Sequence, residues 1–500
     1  MRAHRHRRAA LCAAAAALLG SGALAGCATN PVTGRPQLAL VSEAREIELG
    51  READQQIASS IGLYPDDTLQ RYVQALGQEL ARESERPELP WSFRVLDDPS
   101  VNAFALPGGY LYVTRGILAH LASEAELAAV LGHEIGHVTA RHSVSQMSRQ
   151  QLAQIGLGLS VGLATLASGI DLSPLGSLAG AGLSLLFLKY SRDDESQADA
   201  LGLAYLLQQG YDPRPMARVF ATLERVSQGE GSARLPDWLS SHPNPGDRRL
   251  WVEQQLAGIG RDFGGARLER ESYLRRLDGL VFGANPREGF FRETRFHHPE
   301  LGFRFDFPAG WQTQNQKQSV AGVSAEQDAL VAIALARAAT PAEAARSFFE
   351  QTGARAVERF GAQPAAGLPA EAYVFVAQTQ QGQLPGIAAF VALDARVYQL
   401  LGYSTAQAWR GRRDALAGAI RSFARETDPA VLGVQPQRLS VVELGEGGRL
   451  EELARRHPSG ADLATLALIN GIPVSGALPA GALYKRIVGG PGDPAGPPSP

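Results

Sequence analysis

His133-Glu134-Ile135-Gly136-His137 reads H-E-x-x-H inside an apolar-periodic stretch. On a helix, residues four apart share one face, so both imidazoles can reach one metal ion. Glu134, beside the pair, is placed to hold and deprotonate a water there. Two neutral nitrogens and a carboxylate base are half of a zinc coordination set plus the general base of a metallohydrolase. The flanks fit a helix. Ser123-Glu124-Ala125-Glu126 reads as a capping box. Leu127, Val130, Leu131, Ile135 and Val138 follow at helical spacing as the core stripe. The helix is expected to run to about His142.

A third ligand has to come from elsewhere, either a His shortly downstream or a Glu on a later helix. The pattern H-x-x-G-x-x-H is absent. His142 lies five residues past His137 and reads as a helix-end residue turned off the metal face. The later candidate is Glu195-Ser196-Gln197-Ala198-Asp199, on a helix expected to end near Gly210. Glu195 could bind the metal while Asp199 hydrogen-bonds a ligand histidine. Asp193 and Asp194 suit a solvated, dipole-stabilised first turn.

H-E-I-G-H followed by E-S-Q-A-D resembles the membrane-associated zinc metallopeptidases (gluzincins) that include HtpX, the CAAX prenyl endopeptidases and the envelope protease BepA. The resemblance covers about residues 27–258. It extends to Thr29-Asn30-Pro31-Val32-Thr33-Gly34, to Asn102-Ala103-Phe104-Ala105-Leu106-Pro107-Gly108-Gly109, and to Ser241-His242-Pro243-Asn244-Pro245-Gly246-Asp247-Arg248. It implies one zinc per chain on His133, His137 and Glu195, with Glu134 as base and His242 able to approach the zinc in the resting enzyme. Arg248 is expected to open a helix and pair with nearby acids.

Residues 93–96, 103–106 and 110–114 read as short strands, with Pro107-Gly108-Gly109 as a turn. A strand edge at Asn102, Ala103 and Phe104 beside the metal could take an extended substrate by β-addition. The N-terminus reads as an exported leader. Arg2, Arg5, Arg7 and Arg8 precede an apolar core over residues 9–20, too short for a good membrane span. Leu24-Ala25-Gly26-Cys27 resembles a bacterial lipobox, which implies cleavage before Cys27 and lipidation of its thiol. Ala28 at the next position implies the outer membrane. The other cysteine, Cys12, falls in the leader, so no disulfide is expected. A formal net charge of −3 argues against a nucleic-acid partner.

Residues 152–188 carry a single charge, Asp171, and are rich in Gly, Ala and Leu. They read as a buried helical hairpin or one that dips into a membrane; each arm is shorter than a span. Residues 261–276 read as a charged helical connector. From about Gly289 a separate α+β domain is expected. Its strands include 303–307, 331–335 and 373–376, and a hairpin about Asp394 joins 387–393 to 397–403. Its helices start at Thr340-Pro341 and span 407–425. His297-His298 reads as a domain-entry pair. A strand-helix-helix-strand unit over about 438–488 resembles a LysM module, which implies peptidoglycan binding. Gly447-Gly448-Arg449-Leu450 stands where that family usually has Gly-Asp-Thr-Leu.

The expected fold is therefore multidomain α+β. A leader (1–26) precedes a mainly helical zincin-type protease domain with a small β-sheet (27–260). A helical connector (261–288), an α+β accessory domain (289–428), a small LysM-like βααβ module (436–488) and a disordered tail (489–500) follow. The expected function is a lipid-anchored zinc metalloendopeptidase on the periplasmic side of the outer membrane. Its expected partners are unfolded or misassembled envelope proteins, the outer membrane through Cys27 and peptidoglycan through the last module. The alternatives are a chaperone-like assembly factor with a silent, His-closed site, and a peptidoglycan-tethered scaffold.

Overall fold

The computed structural model describes residues 27–158, 189–228, 237–361, 367–379 and 382–490. The leader, residues 159–188 of the apolar stretch and residues 491–500 of the tail lie outside the described residues.

The N-terminal half is built around one helix. Its elements are β1 (Cys27–Thr29), β2 (Pro36–Leu38), α1 (Glu43–Ser60), α2 (Asp67–Ala81), β3 (Ser92–Leu96), β4 (Ala103–Leu106), β5 (Tyr110–Thr114), α3 (Arg115–His120), α4 (Glu124–Thr139), α5 (His142–Gly158), α6 (Arg192–Gln208), α7 (Arg214–Gln228), α8 (Asp237–Ser241), α9 (Pro245–Ile259) and α10 (Arg270–Arg276). Helix α4 carries H-E-x-x-H. Ser123 caps it by accepting from Glu126 N. The Glu126 carboxylate accepts from Ala122 N at 2.6 Å, one residue beyond the cap N–H that a capping box would use. Every residue of α4 is buried. Its small Ala and Gly faces let neighbours pack all round it, so it is a central helix rather than an amphipathic surface one.

Helix α4 stops at Thr139, earlier than its periodicity suggests, because Arg141 adopts φ 60°. A buried ion triad fixes that corner. Glu46 takes Arg86 Nη1 at 2.8 Å and Arg141 Nε at 2.9 Å, and Arg86 also donates to Val138 O at 3.0 Å. The segment after Cys27 covers the remaining carbonyls of the helix end. Asn30 donates to Ala140 O and Gln37 to Arg141 O, each at 3.3 Å. His142 therefore begins a new helix rather than ending the old one.

Helix α6 lies against α4 at very close approach. A Cβ on Gly202 would sit 2.9 Å from His133 N, and one on Gly136 3.1 Å from the Ala198 backbone. This closeness lets residues of α6 reach the histidines of α4. On the other side, α4 packs on a three-stranded sheet in the order β3-β5-β4, with β5 parallel to β3 and antiparallel to β4. Strand β4 is thus an edge. Gly108 and Gly109, at φ 80° and 97°, make the turn between β4 and β5.

The stretch expected as a helical connector is helical over α10, whose Tyr273 and Leu274 are fully buried in the same core as α4, and over a single 3-10 turn at Pro286–Glu288. Beyond it stand β6 (Phe290–Arg292), β7 (Arg295–His298), β8 (Phe303–Asp306), β9 (Gln312–Asn315), β10 (Ser319–Val323), β11 (Ala329–Ala336), α11 (Pro341–Thr352), β12 (Arg355–Arg359), β13 (Ala370–Thr379), β14 (Gly382–Leu393), β15 (Arg396–Ser404), α12 (Trp409–Arg421) and β16 (Ala424–Arg425). They form a seven-stranded antiparallel sheet, β12-β13-β14-β15-β11-β10-β9, and a four-stranded one, β16-β8-β7-β6. Separate apolar clusters fill the two faces of the larger sheet. The expected closing helix ends at Arg421, because Ala424 and Arg425 pair with β8 instead. His297 pairs with Glu426 at 2.5 Å.

The last unit contains β17 (Gln437–Glu443), β18 (Gly448–Arg449), α13 (Leu450–Arg456), α14 (Leu463–Asn470), β19 (Ala477–Leu478) and β20 (Leu483–Gly489). Strands β17 and β20 pair antiparallel, and β20 takes up Gly489, assigned to the tail by composition. The unit shares its core with the N-terminal half: Leu439, Leu453, Ile469 and Tyr484 belong to the cluster that contains α4. Lys485 is buried and donates to Ala119 O at 2.8 Å and Leu121 O at 2.7 Å, at the entrance to α4. No described helix is long and apolar enough to cross a membrane.

Candidate metal centre

Four side chains converge between α4, α6 and the turn before α9: His133, His137, Glu195 and His242. All are buried, and one donor atom from each lies within 4.8 Å of the others. His133 Nε2 is 3.0 Å from His137 Nε2 and 3.3 Å from His242 Nδ1. Glu195 Oε1 is 3.5 Å from His137 Nε2 and 2.9 Å from His242 Nδ1. Glu195 Oε2 is 3.6 Å from His133 Nε2. Zinc bonds of about 2.0–2.1 Å in a tetrahedron put ligand atoms about 3.4 Å apart. The observed edges scatter about that value, so the donor set has the size and chemistry to take one metal ion.

The charges agree. Glu134, Glu195 and Asp199, once ionised, together with Arg248 leave two negative charges in a closed site, the complement of one dication. Without a cation, burial raises Glu134 to about 8; nearby Glu195 pushes the same way and His137 opposes. Both Glu134 oxygens are buried without a hydrogen bond, an orphaned state that a buried carboxylate does not normally keep. His242 Nε2 stands 3.6 Å from Glu134 Oε1.

The groups behind the ligands orient them. Asp199 Oδ1 lies 2.9 Å from His133 Nδ1. Arg248 binds Asp199 through Nη2 at 2.6 Å and Nε at 2.8 Å, and brings Nη1 to 2.8 Å from Glu195 Oε2. That last contact is an ion pair at an angle that makes no hydrogen bond. Burial opposes ionisation of Asp199, but Arg248 outweighs it and holds the carboxyl at about 2. Burial likewise works against Glu195, and His242 with Arg248 keeps it well below the usual range. Burial, reinforced by Arg248, lowers His133 to about 3 and keeps it neutral, as a ligand must be.

Arg248 does stand in the first turn of its helix and pair with acids, as its sequence position suggests, and it does so fully inside the site. Phe220 and Trp238 both pack against its guanidinium, at 4.4 and 4.8 Å from their ring centres. Trp238 also stacks on His242 at 4.7 Å, and Tyr190 stacks on His137 at 3.9 Å. The sequence reading missed both rings. The available signals were that Tyr190 immediately precedes the cap of α6 and that Trp238 is one of only five tryptophans. His142 is outside the ligand group, but it is not turned away: its Nδ1 lies 3.0 Å from His137 Nδ1.

Asn102, Ala103 and Phe104 are not among these donors. Ala103 is buried, Phe104 stacks on Tyr112 at 5.0 Å, and Asn102 holds Thr114 through its backbone. Ala103 and Phe104 lie on β4, which packs on α4, and Asn102 immediately precedes it. The backbone of Cys27 starts β1 opposite Leu38.

Residues 67–252 match the model of peptidase family M48. This segment is a family M48 peptidase domain. Among curated proteins, the chain is 32% identical over 192 residues to a putative beta-barrel assembly-enhancing protease of Vibrio cholerae, covering 37% of this chain and 38% of that protein. It is 30% identical over 225 residues to the beta-barrel assembly-enhancing protease of Escherichia coli, covering 44% and 45%. It is 31% identical over 233 residues to the mitochondrial metalloendopeptidase OMA1 of Schizosaccharomyces pombe, covering 45% and 65%. The matches span less than half the length of the two bacterial relatives.

Proposed function

We propose that the chain is a lipid-anchored zinc endopeptidase of the bacterial envelope that hydrolyses unfolded or misassembled outer-membrane proteins. The observation that carries the reading is the buried four-donor group with the base Glu134 against it. His133, His137 and Glu195 would hold the metal. Bound there, zinc supplies Lewis acidity at the scissile carbonyl and makes a water acidic at neutral pH. Glu134 takes the proton of the attacking water and passes it to the leaving amine. Asp199 fixes the tautomer of His133, and Arg248 offsets one of the two charges of Glu195 and Asp199 on α6. The β4 edge would hold an extended segment by backbone hydrogen bonds, which suits unfolded clients with little side-chain preference. The lipobox-like leader and the names of the bacterial relatives support the compartment and client class.

His242 at the fourth corner favours a second reading of the same site. With four protein ligands no position remains for water, and the protein would act as an assembly factor with the peptidase at rest. Degradation and assembly of an outer-membrane β-barrel client, compared between wild type and Glu134→Gln, separate the two. The peptidase reading expects client turnover that the variant loses. Assembly activity that survives in the variant, with no turnover by wild type, would replace it by the second.

A further inference from the structure

We propose that His142 is a positioning residue for the metal site: it fixes the tautomer of His137 and thereby aims a bare Nε2 lone pair at the metal. The inference rests on the ligand reading above and adds a residue that reading does not use.

His142 is buried at the first position of α5, where the left-handed Arg141 turns the chain back toward α4. Its two ring nitrogens face different partners. Nε2 lies 2.9 Å from Gln197 Oε1 and 3.6 Å from Asp194 Oδ1. Both are acceptors, and the carboxylate cannot be anything else. The hydrogen of a neutral His142 therefore sits on Nε2, and Nδ1 is left as an acceptor. That Nδ1 is 3.0 Å from His137 Nδ1. Two nitrogens at this distance share one hydrogen, and His142 has none to give on that side. His137 must supply it, so His137 is the Nδ1–H tautomer and its Nε2 is bare. Nε2 is the atom that faces His133 and Glu195.

The two ligand histidines are thus set by different means. A carboxylate, Asp199, holds His133. A relay from Gln197 through His142 holds His137. Gln197 and Asp194 flank Glu195 on the same helix, so one turn of α6 supplies the third ligand and the polarity of the second. Tyr190, stacked on the His137 ring and bonded to Ser143 at 2.9 Å, limits rotation of that ring.

The test is the zinc dissociation constant of the purified full-length chain, measured by competition with a chromophoric chelator. His142→Leu removes the acceptor while keeping bulk. His142→Asn restores an acceptor, since its Oδ1 can take the place of the imidazole Nδ1. Replacing a group behind a metal ligand typically weakens zinc about 10–100-fold. We expect His142→Leu to raise Kd by about that factor and His142→Asn to return most of it. Gln197→Leu, at a half-buried position that tolerates the change, should weaken zinc in the same direction by freeing the His142 tautomer. Gln197→Leu also decides the matter should His142→Leu fail to fold. Wild-type zinc affinity in His142→Leu or in Gln197→Leu overturns the proposal. Equal weakening in His142→Leu and His142→Asn also overturns it, because packing rather than the acceptor would then matter. Absence of zinc binding by the wild type would instead defeat the ligand assignment itself.

Discussion

Arg248→Met is the perturbation whose size follows most directly from the site. Arg248 is buried and meets two buried carboxylates, Asp199 at 2.6 and 2.8 Å and Glu195 at 2.8 Å. The histidine beside them, His133, is kept neutral by burial, and His242 supports Glu195 alone, so Arg248 is the cation on which Asp199 chiefly depends. Breaking a buried pair from one side costs about 3–5 kcal/mol, because the remaining charge stays buried without its partner. At about 2–4 °C per kcal/mol for a domain of this size, the metal-free protein should melt about 10 °C lower. A bound dication takes over the charge of Glu195 and leaves only Asp199 exposed to the loss. The deficit should then shrink by about half at saturating zinc. Thermal melts of both proteins with chelator and with excess zinc, near neutral pH, measure the two differences. A drop below about 2 °C, or one that zinc leaves unchanged, would refute the keystone role of Arg248.

His242→Ala should keep its zinc and cleave an unfolded client, or itself, faster than wild type; a variant that holds zinc and loses all cleavage would assign His242 to stabilising the oxyanion instead. Glu134→Gln should change the pH dependence of the metal-free protein's stability. Burial holds Glu134 at about 8 against an ordinary 4.5, so the folded form binds the extra proton between these values. Its contribution is present in full below about 4.5, falls as pH rises and is gone above about 8. The glutamine variant, which has no such group, should melt like wild type near pH 4.5 and higher than wild type at pH 8; equal melting at both would refute the shift. Gly202→Val should weaken zinc by pushing α6 off α4, since even a Cβ there meets His133 N at 2.9 Å. Wild-type affinity in that variant would mean that the helix separation is not what sets the ligand geometry.

The metal site was legible because it depends on short periodicities. His133 and His137 share a helix face by their spacing, and Glu195 and Asp199 do so on the second helix. Both helices carry local caps, Ser123 and Ser191. What escaped the sequence depends on long-range contact. His142 reads as a helix-end residue until Arg141, held by Glu46 from 95 residues away, turns the chain so that its ring meets His137. Arg248 reads only as a helix-opening residue beside some acids; which acids, and the packing of Phe220 and Trp238 against it, come from the fold. The C-terminal unit reads as an independent module from its strand and helix pattern. Only the packed structure shows Lys485 reaching Ala119 and Leu121, 366 and 364 residues earlier, and the shared core. The ends of elements shifted for local reasons: α4 at the left-handed Arg141, and α12 where Ala424 pairs with β8.

The most direct measurement is the metal content of the purified chain and of Glu195→Ala, prepared alike and dialysed without chelator. The account predicts about one zinc per wild-type chain and loss of most of it in Glu195→Ala, with both proteins folded. Full zinc occupancy in Glu195→Ala, or a wild type that neither carries nor takes up zinc, would contradict it.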